Sequence, residues 1–251
     1  MTDPLNRFSD RVENYVKFRP GYPPTLIDEL KGKIDLRKTS LVADIGCGTG
    51  ISSKLFLDNG NKVFGVEPNA AMRNAAENEL AEYGDFIPVD GTAERTTLND
   101  SSVDIVAAFQ AFHWFDNREA KLEFRRILKN DGFLCLVWNE RQLDSNEFLR
   151  EYERFLIRHG TDYEMVRHDQ ITKKTIERSF EKPFSAFTLE NHQVLDFEGL
   201  KGRLLSSSYI PSETEPGFDE MLKNLITLFS RFEEKGRIRI QYDTNVFYGT
   251  I

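Results

Sequence analysis

The chain has 251 residues, of which 39% are hydrophobic and 12% aromatic, so it can bury a substantial core and is not disordered by composition. Its 33 basic and 41 acidic residues give a formal net charge of −8, which argues against broad binding of nucleic-acid backbones. Two cysteines, Cys47 and Cys135, are too few for a disulfide framework or a four-thiolate zinc site, and with only scattered histidines we expect no metal site. The sequence has no apolar signal segment and no run of about 18 apolar residues, so we expect a cytoplasmic protein without a membrane span.

Apolar segments alternate with helical patterns over the first 140 residues. Five strands are predicted there, at 41–45, 62–66, 85–89, 103–109 and 133–138. Three helices are predicted between these strands, at 51–59, 69–83 and 117–129. Continuous apolar strands that alternate with helices are typical of a parallel sheet covered by helices on both faces.

The remainder of the chain has a different pattern. Amphipathic helices are predicted at 146–159 and 216–233, and a further helix at 171–180. The segments 184–197 and 238–251 are rich in strand-forming residues. We therefore expect one α/β domain whose last two strands form an antiparallel pair.

A glycine-rich segment, D-I-G-C-G-T-G, starts at Asp44 between the first predicted strand and the first predicted helix. Its glycines, Gly46, Gly48 and Gly50, permit a tight turn and let a ligand approach the backbone. Glu67 ends the second predicted strand, where a carboxylate can accept hydrogen bonds from both hydroxyls of a ribose. Together the loop and the acid predict a ligand that contains a nucleoside.

The spacing of the glycines narrows the class of ligand. The dinucleotide fingerprint G-x-G-x-x-G would need glycine at the position of Ile51, and the phosphate-binding loop G-x-x-x-x-G-K-[ST] is absent. The sequence D-x-G-x-G-x-G resembles the cofactor loop of class I S-adenosylmethionine-dependent methyltransferases. That resemblance implies a Rossmann-like, doubly wound, mostly parallel sheet of seven strands, with a terminal antiparallel strand and a helical cap insertion.

Three further segments resemble the same family. Residues 91–94 (GTAE) are similar to its adenine-contacting turn, 110–115 (QAFHWF) to its motif at the reaction face, and 126–129 (RILK) to its signature before the fifth strand. The N-terminal segments 7–9 and 18–23, with Tyr15, resemble the methyltransferase type 11 branch, which is similar to trans-aconitate methyltransferase. The expected single domain then divides into an N-terminal lid segment and helix (1–40), a cofactor-binding core (41–140), a cap insertion (143–182) and C-terminal elements that complete the sheet (183–251).

The resemblance also implies which residues bind S-adenosylmethionine and its product, S-adenosylhomocysteine. They are Asp44, Gly46, Cys47, Gly48, Gly50, Glu67, Pro68, Thr92, Ala93 and Gln110. Glu67 would hold the ribose, the backbone of Ala93 the adenine, and the backbone carbonyl of Gln110 the methionine ammonium. Asp44 would support the loop or meet that ammonium. Many relatives have an acid or Asn where Thr92 stands, so Asp90 is an alternative adenine contact.

The substrate end is predicted from fewer residues. His113 follows the fourth strand and is the candidate general base, although it would equally fit a structural histidine beside Trp114. A base is needed for an alcohol or phenol acceptor but not for a carboxylate. Arg19, with Tyr15 and Tyr22 in the lid, could bind an acidic substrate, and Trp114 could line the pocket.

These features favour a methyltransferase that acts on a small molecule, with a carboxylate as one candidate acceptor. Three alternatives stay open: a non-catalytic S-adenosylmethionine-binding protein, a nicotinamide-dependent oxidoreductase and a nucleic-acid methyltransferase. Ile51 argues against the oxidoreductase. The absence of an N/D-P-P-Y/F run after the fourth strand, together with the net charge, argues against the nucleic-acid enzyme, so no nucleic-acid partner is expected.

Overall fold

One mixed β-sheet organises the chain. A computed structural model describes residues 12–163, 176, 177, 180 and 183–251, and all structural statements refer to these. The strands are β1 (Leu41–Ile45), β2 (Lys62–Val66), β3 (Phe86–Val89), β4 (Val103–Phe109), β5 (Leu128–Arg141), β6 (Ser185–Leu195) and β7 (Ile238–Gly249). The helices are α1 (Val12–Phe18), α2 (Thr25–Ile34), α3 (Ile51–Asp58), α4 (Ala70–Glu79), α5 (Asn117–Ile127), α6 (Glu147–His159), α7 (Phe197–Leu205) and α8 (Phe218–Phe232). No described helix combines the length and apolar composition needed to cross a lipid bilayer.

The seven strands lie in the order β3-β2-β1-β4-β5-β7-β6. Strands β1 to β5 pair in parallel, whereas β7 is antiparallel to both of its neighbours, β5 and β6. The seven-stranded, mostly parallel sheet is therefore confirmed, with the antiparallel strand one position in from the edge. The strand order reverses between β1 and β4, which is the switch point where open α/β sheets bind ligands at their carboxyl ends.

Apolar strands form the centre of the sheet because both of its faces are covered. On one face, Leu26 and Leu30 of α2 pack with Phe56 of α3. On the other face, Phe124 and Ile127 of α5 belong to a second buried cluster. A third cluster joins α6, α7 and α8 to β7. Strands β1, β2 and β4 are therefore buried between packed helices, and the loops that follow their carboxyl ends define the site.

The segment 1–40, where one helix was expected, contains two helices, α1 and α2, in its described part. The structure also adds a helix after β6 that the sequence patterns did not predict, α7. Asp196 caps it by accepting a hydrogen bond from the backbone N–H of Gly199 at 2.8 Å. Glycines at 199 and 202 interrupt the helical pattern, which is why it was missed. Glycine at 202 allows α7 to pack closely against α1, because a Cβ there would lie 2.1 Å from the ring of Phe18. The predicted helix at 171–180 lies almost entirely outside the described residues.

Candidate active site

The glycine loop turns sharply between β1 and α3. Gly46 and Gly48 have positive φ angles of 69° and 56°, in the left-handed region that favours glycine. A Cβ on Gly46 would lie 2.7 Å from the Cβ of Ala111, so this glycine also permits close packing against the loop after β4. The space above Gly48 is open, which leaves its backbone accessible to a ligand.

Asp44 supports this loop from behind. Its Oδ2 accepts hydrogen bonds from the hydroxyls of Ser52 and Ser53 in α3, at 2.6 and 2.7 Å. Burial raises the pKa of Asp44 to about 6, and the two serine hydroxyls oppose that shift. Its Oδ1 is buried and has no hydrogen-bond partner among the described residues. The carboxylate thus ties the end of β1 to the first turn of α3.

Glu67 closes the other side of the loop. Its Oε2 accepts a hydrogen bond from the backbone N–H of Gly48 at 3.0 Å, and its Oε1 accepts one from Asn69 at 2.9 Å. Burial raises the pKa of Glu67, while these two backbone hydrogen bonds oppose the shift. Each carboxylate oxygen can accept a second hydrogen bond, so the acid is held in place with capacity left for a ligand.

A side chain of α5 holds the turn after β3 in place through hydrogen bonds. Thr92 and Arg95 pair through their backbones, and Glu123 accepts hydrogen bonds from the backbone N–H and the hydroxyl of Thr96 at 2.7 and 2.6 Å. Asp90, the alternative adenine contact, instead forms an ion pair with Arg73 at 3.3 Å.

A cavity of about 300 Å³, the loop cavity, lies between these segments. Its walls come from the glycine loop, the ends of β2 and β4 and the turn after β3, and they include Gly46, Gly48, Glu67, Pro68, Thr92 and Ala93. A narrow slot of about 40 Å³ continues from the same loop beside Cys47 and Tyr22.

A larger cavity of about 700 Å³, the wide cavity, lies beyond the end of β4. His113 and Trp114 form part of its wall from a single 3₁₀ turn, with ring centroids 4.8 Å apart. Trp114 also lines the loop cavity, whereas His113 borders only the wide cavity. His113 is therefore on the side away from the glycine loop.

The N-terminal segment is attached to the sheet by side-chain amides. Asn139 and Asn191 both donate to the carbonyl of Gly21, at 3.0 and 2.9 Å, and Gln193 donates to the carbonyl of Phe18 at 3.0 Å. These contacts hold Tyr15 and Arg19 of the same segment against the cavities.

Three arginines line the wide cavity, but only one has a carboxylate partner there. Arg141 forms an ion pair with Glu153 and also donates to the hydroxyl of Tyr163 at 2.9 Å. Arg19 donates to the carbonyl of Ser206 at 2.9 Å and lies 4.7 Å from the ring centroid of Tyr15. Arg203, in α7, donates to Ser207.

Neither Arg19 nor Arg203 forms a salt bridge within the part of the chain that the structure describes, and the Nε atom of each is buried without a partner there. Burial, and then the charge of Arg203, lowers the pKa of Arg19. Carboxylates also border this cavity, at Glu140, Asp144 and Asp243. Glu140 and Asp144 are exposed, and Asp243 accepts a hydrogen bond from Gln142. The wall of the cavity thus contains three arginines and three carboxylates, but among the described residues no carboxylate pairs with Arg19 or Arg203.

Comparison with known proteins identifies the family. A model described as "Methyltransferase domain" matches residues 43–136, which contain the glycine loop. A methyltransferase of Mycobacterium tuberculosis whose activity is uncharacterised is 34% identical over 187 residues, covering 74% of this chain and 68% of that protein. This chain belongs to the methyltransferase family. It is an S-adenosylmethionine-dependent enzyme.

Other relatives show the extent of the likeness. A methyltransferase of Schizosaccharomyces pombe is 31% identical over 135 residues, which cover 53% of this chain and 53% of that protein. The matched region therefore spans about half the length of that relative. A candidate type II methyltransferase from Anaeromyxobacter dehalogenans has a similar fold, with a TM-score of 0.66, 21% identity and coverage of 92% of this chain and 97% of that chain. A Geobacter sulfurreducens methyltransferase, solved in complex with S-adenosylhomocysteine, has a TM-score of 0.54 at 15% identity, with coverage of 99% and 98%.

Most of the predicted site residues of the methyltransferase line the loop cavity, the slot or the wide cavity. Asp44 and Gly50 are the exceptions, since neither lines a cavity and both act through the shape of the loop. Sequence patterns missed Arg203 and Asn139. Arg203 lies in the helix that was not predicted. Asn139 lies near the carboxyl end of β5 and directly follows the strand predicted at 133–138, and that position was the signal available for it.

Proposed function

We propose that this methyltransferase transfers the methyl group of S-adenosylmethionine to a small-molecule acid, with a carboxylate as the acceptor. The observation that carries the proposal is the pair of partly buried guanidinium groups, Arg19 and Arg203, that line the wide cavity without a carboxylate partner among the described residues. Buried cations are normally paired, so an anionic ligand is the group that would complete this wall.

The loop cavity and the slot suit the cofactor. Glu67 would accept hydrogen bonds from the ribose hydroxyls with the lone pairs that Gly48 and Asn69 leave available. Thr92 and Ala93 would border the adenine. The slot beside Cys47 would take the methionine end, and the negative charge of nearby Asp44 would favour its ammonium group. The hydrogen-bond acceptors and the negative charge of this site are therefore appropriate for a nucleoside that carries positive charge.

The wide cavity suits the acceptor. Its volume of about 700 Å³ lies within the range of small-molecule binding sites. An arginine can bind a carboxylate through two parallel hydrogen bonds, and two arginines could hold one end of an acid while another carboxylate oxygen faces the cofactor. The salt bridge to Glu153 leaves Arg141 with less demand for an anion than Arg19 or Arg203.

S-adenosylmethionine supplies a methyl group already activated by the sulfonium, so the reaction is a displacement in which a carbon–oxygen bond forms as the carbon–sulfur bond breaks. The chain's contribution is to align the acceptor and to exclude water. A carboxylate is deprotonated at neutral pH, and no proton needs to be removed. His113 would be required as a base only if the acceptor were a hydroxyl group.

Features of the wide cavity and of the two cysteines argue against two other functions. A non-catalytic S-adenosylmethionine-binding protein would have its acceptor side blocked, whereas the wide cavity here is open beside Trp114. A cytosine-5 nucleic-acid methyltransferase would need a reactive cysteine. Burial raises the pKa of both Cys47 and Cys135, the latter to about 12, and so keeps both thiols protonated.

The test is a methyl-transfer screen. Purified protein would be incubated with S-adenosylmethionine and small mono-, di- and tricarboxylic acids, with the amide of each acid as its matched control, and with RNA and DNA. We expect formation of S-adenosylhomocysteine and a methyl ester with at least one acid and none with its amide. Cofactor binding without turnover on any acid would exclude the proposed acceptor class, and transfer to RNA or DNA would favour the nucleic-acid function.

A further inference from the structure

Gln110 occupies the point at which the three cavities meet. Among the described residues, only Gln110 and Tyr15 line the loop cavity, the slot and the wide cavity together. A bound sulfonium has three carbon substituents: the adenosyl group, the methionine chain and the methyl group. The three cavities provide one space for each of them. The sulfur atom of the cofactor would therefore lie beside Gln110 and Tyr15.

The backbone of Gln110 is held in an uncommon conformation. Its φ angle is +53°, in the left-handed region that residues other than glycine seldom adopt. Its N–H donates to the carbonyl of Val137 in β5 at 2.9 Å, one residue beyond the end of β4. Such conformations persist where the surrounding structure enforces them, and they are concentrated at functional sites.

The orientation of the Gln110 amide is fixed by its partner. Nε2 donates to the backbone carbonyl of Asn139 at 3.1 Å, and a carbonyl can only accept, so the nitrogen must face Asn139 and the oxygen must face away. Asn139 is itself held by hydrogen bonds from Thr244, at 2.6 Å, and from Asn191, at 3.1 Å. The side-chain oxygen of Gln110 is buried and accepts no hydrogen bond in the described structure. A buried amide oxygen without a donor is unfavourable unless a ligand supplies one.

We propose that the side-chain oxygen of Gln110 contacts the methylated sulfonium of bound S-adenosylmethionine and orients its methyl group toward the wide cavity. The proposal rests on the placement of the cofactor under Proposed function. A carbonyl oxygen is attracted to positive charge, and the C–H groups next to a sulfonium are polarised enough to act as weak donors. Gln110 is thus a positioning residue for the methyl donor, and its role differs from that of a carbonyl that binds the methionine ammonium.

Ligand discrimination separates these roles. S-adenosylmethionine and S-adenosylhomocysteine share the adenosine and the ammonium, but only the former has the methyl group and the positive sulfur. We would measure the dissociation constants of both by calorimetry for the wild type, Gln110→Leu and Gln110→Asn, whose shorter side chain withdraws the oxygen. Gln241→Leu is the matched control, because this β7 amide lines none of the three cavities. Unfolding midpoints without ligand would establish that each variant is folded.

We expect both Gln110 variants to weaken binding of S-adenosylmethionine about tenfold more than binding of S-adenosylhomocysteine, since a lost contact to a charged group has this effect. Sinefungin, which has an ammonium-bearing carbon in place of the methylated sulfur, should lose affinity as S-adenosylmethionine does. Equal losses for all three ligands, or no loss, would overturn the proposal while leaving the cofactor placement intact. Failure of the wild type to bind either cofactor form would overturn both.

Discussion

The loop cavity and the wide cavity are adjacent but are built in opposite ways. Apart from Tyr15 of the N-terminal segment, the loop cavity is lined by residues at or after the carboxyl ends of β1, β2, β3 and β4, including Glu67. The wide cavity takes the two arginines without a carboxylate partner, Arg203 and Arg19, from α7 and from the N-terminal segment, which lie far apart in the chain, and takes Arg141 from β5. The difference indicates that binding of the donor and of the acceptor can be altered separately.

The substitution with the largest expected effect is Arg203→Leu, which should impair use of the acceptor and leave cofactor binding unchanged. Arg203 lines only the wide cavity, so Arg203→Leu should lower kcat/KM for an acid acceptor by about 100-fold, because a buried charge partner is worth about 2–5 kcal/mol. The dissociation constant for S-adenosylmethionine should stay unchanged. Steady-state kinetics and calorimetry would measure the two quantities. Arg203→Lys, which keeps the charge, should restore part of the activity, and an equal loss of cofactor affinity would contradict the separation.

A substitution of Glu67 tests the loop cavity and the binding of the cofactor there. Glu67→Gln should weaken cofactor binding by about 1–3 kcal/mol, because the ribose hydroxyls lose a charged acceptor. Burial raises the pKa of Glu67, and donors from the ribose favour its ionised form. Wild-type affinity should therefore be highest above that raised pKa and fall as the pH drops through it, from neutral toward pH 4. Calorimetry across this range should give a flatter profile for the variant, and parallel profiles would remove Glu67 from the ribose site.

Glu123 tests whether the turn beneath the loop cavity is held from α5. The Arg126 guanidinium, together with the hydrogen bonds from Thr96, lowers the pKa of Glu123 to about 2. A lowered pKa means that the stabilisation is complete above the ordinary value of 4.5 and is lost as the pH falls through about 2. Glu123→Leu should reduce the free energy of unfolding by about 1–2 kcal/mol at pH 7, since the buried N–H of Thr96 loses its acceptor.

Urea unfolding would measure this loss at pH 7 and at pH 3, where the gap between wild type and variant should be narrower. The exposed Glu119, on the same helix, offers Glu119→Gln as a control with little expected change. A gap that does not depend on pH would show that the loss is one of packing and not of charge.

His113 should give the smallest effect. With a carboxylate acceptor, His113→Asn should lower kcat by less than about tenfold and leave the pH–rate profile unchanged, because no proton is removed. A profile of kcat against pH would check this. A larger loss that is recovered at high pH would identify His113 as a base and would point to a hydroxyl acceptor.

Much of the fold follows directly from the patterns of the chain. The strands at 41–45, 62–66 and 103–109 were predicted with the bounds that the structure has. The reason is local: each is a mainly apolar run with one charged residue, and burial on both faces of the sheet favours that composition. Helix α7 lacks such a run, since its two glycines reduce the helical signal and its stability comes from contacts with α1, α6 and α8.

The sequence by itself determined the loop cavity, where we propose that the cofactor binds, because a parallel sheet places the loops after its strands at one edge and so brings the glycine loop, Glu67 and Thr92 together. Tertiary structure alone decided the wide cavity, where we propose that the acceptor binds. Arg19 and Arg203 meet only because α1 packs against the glycine face of α7, and the oxygen of Gln110 faces the cavities only because Asn139 holds the amide nitrogen. Such contacts depend on the packing of distant segments, and no local pattern of residues records it.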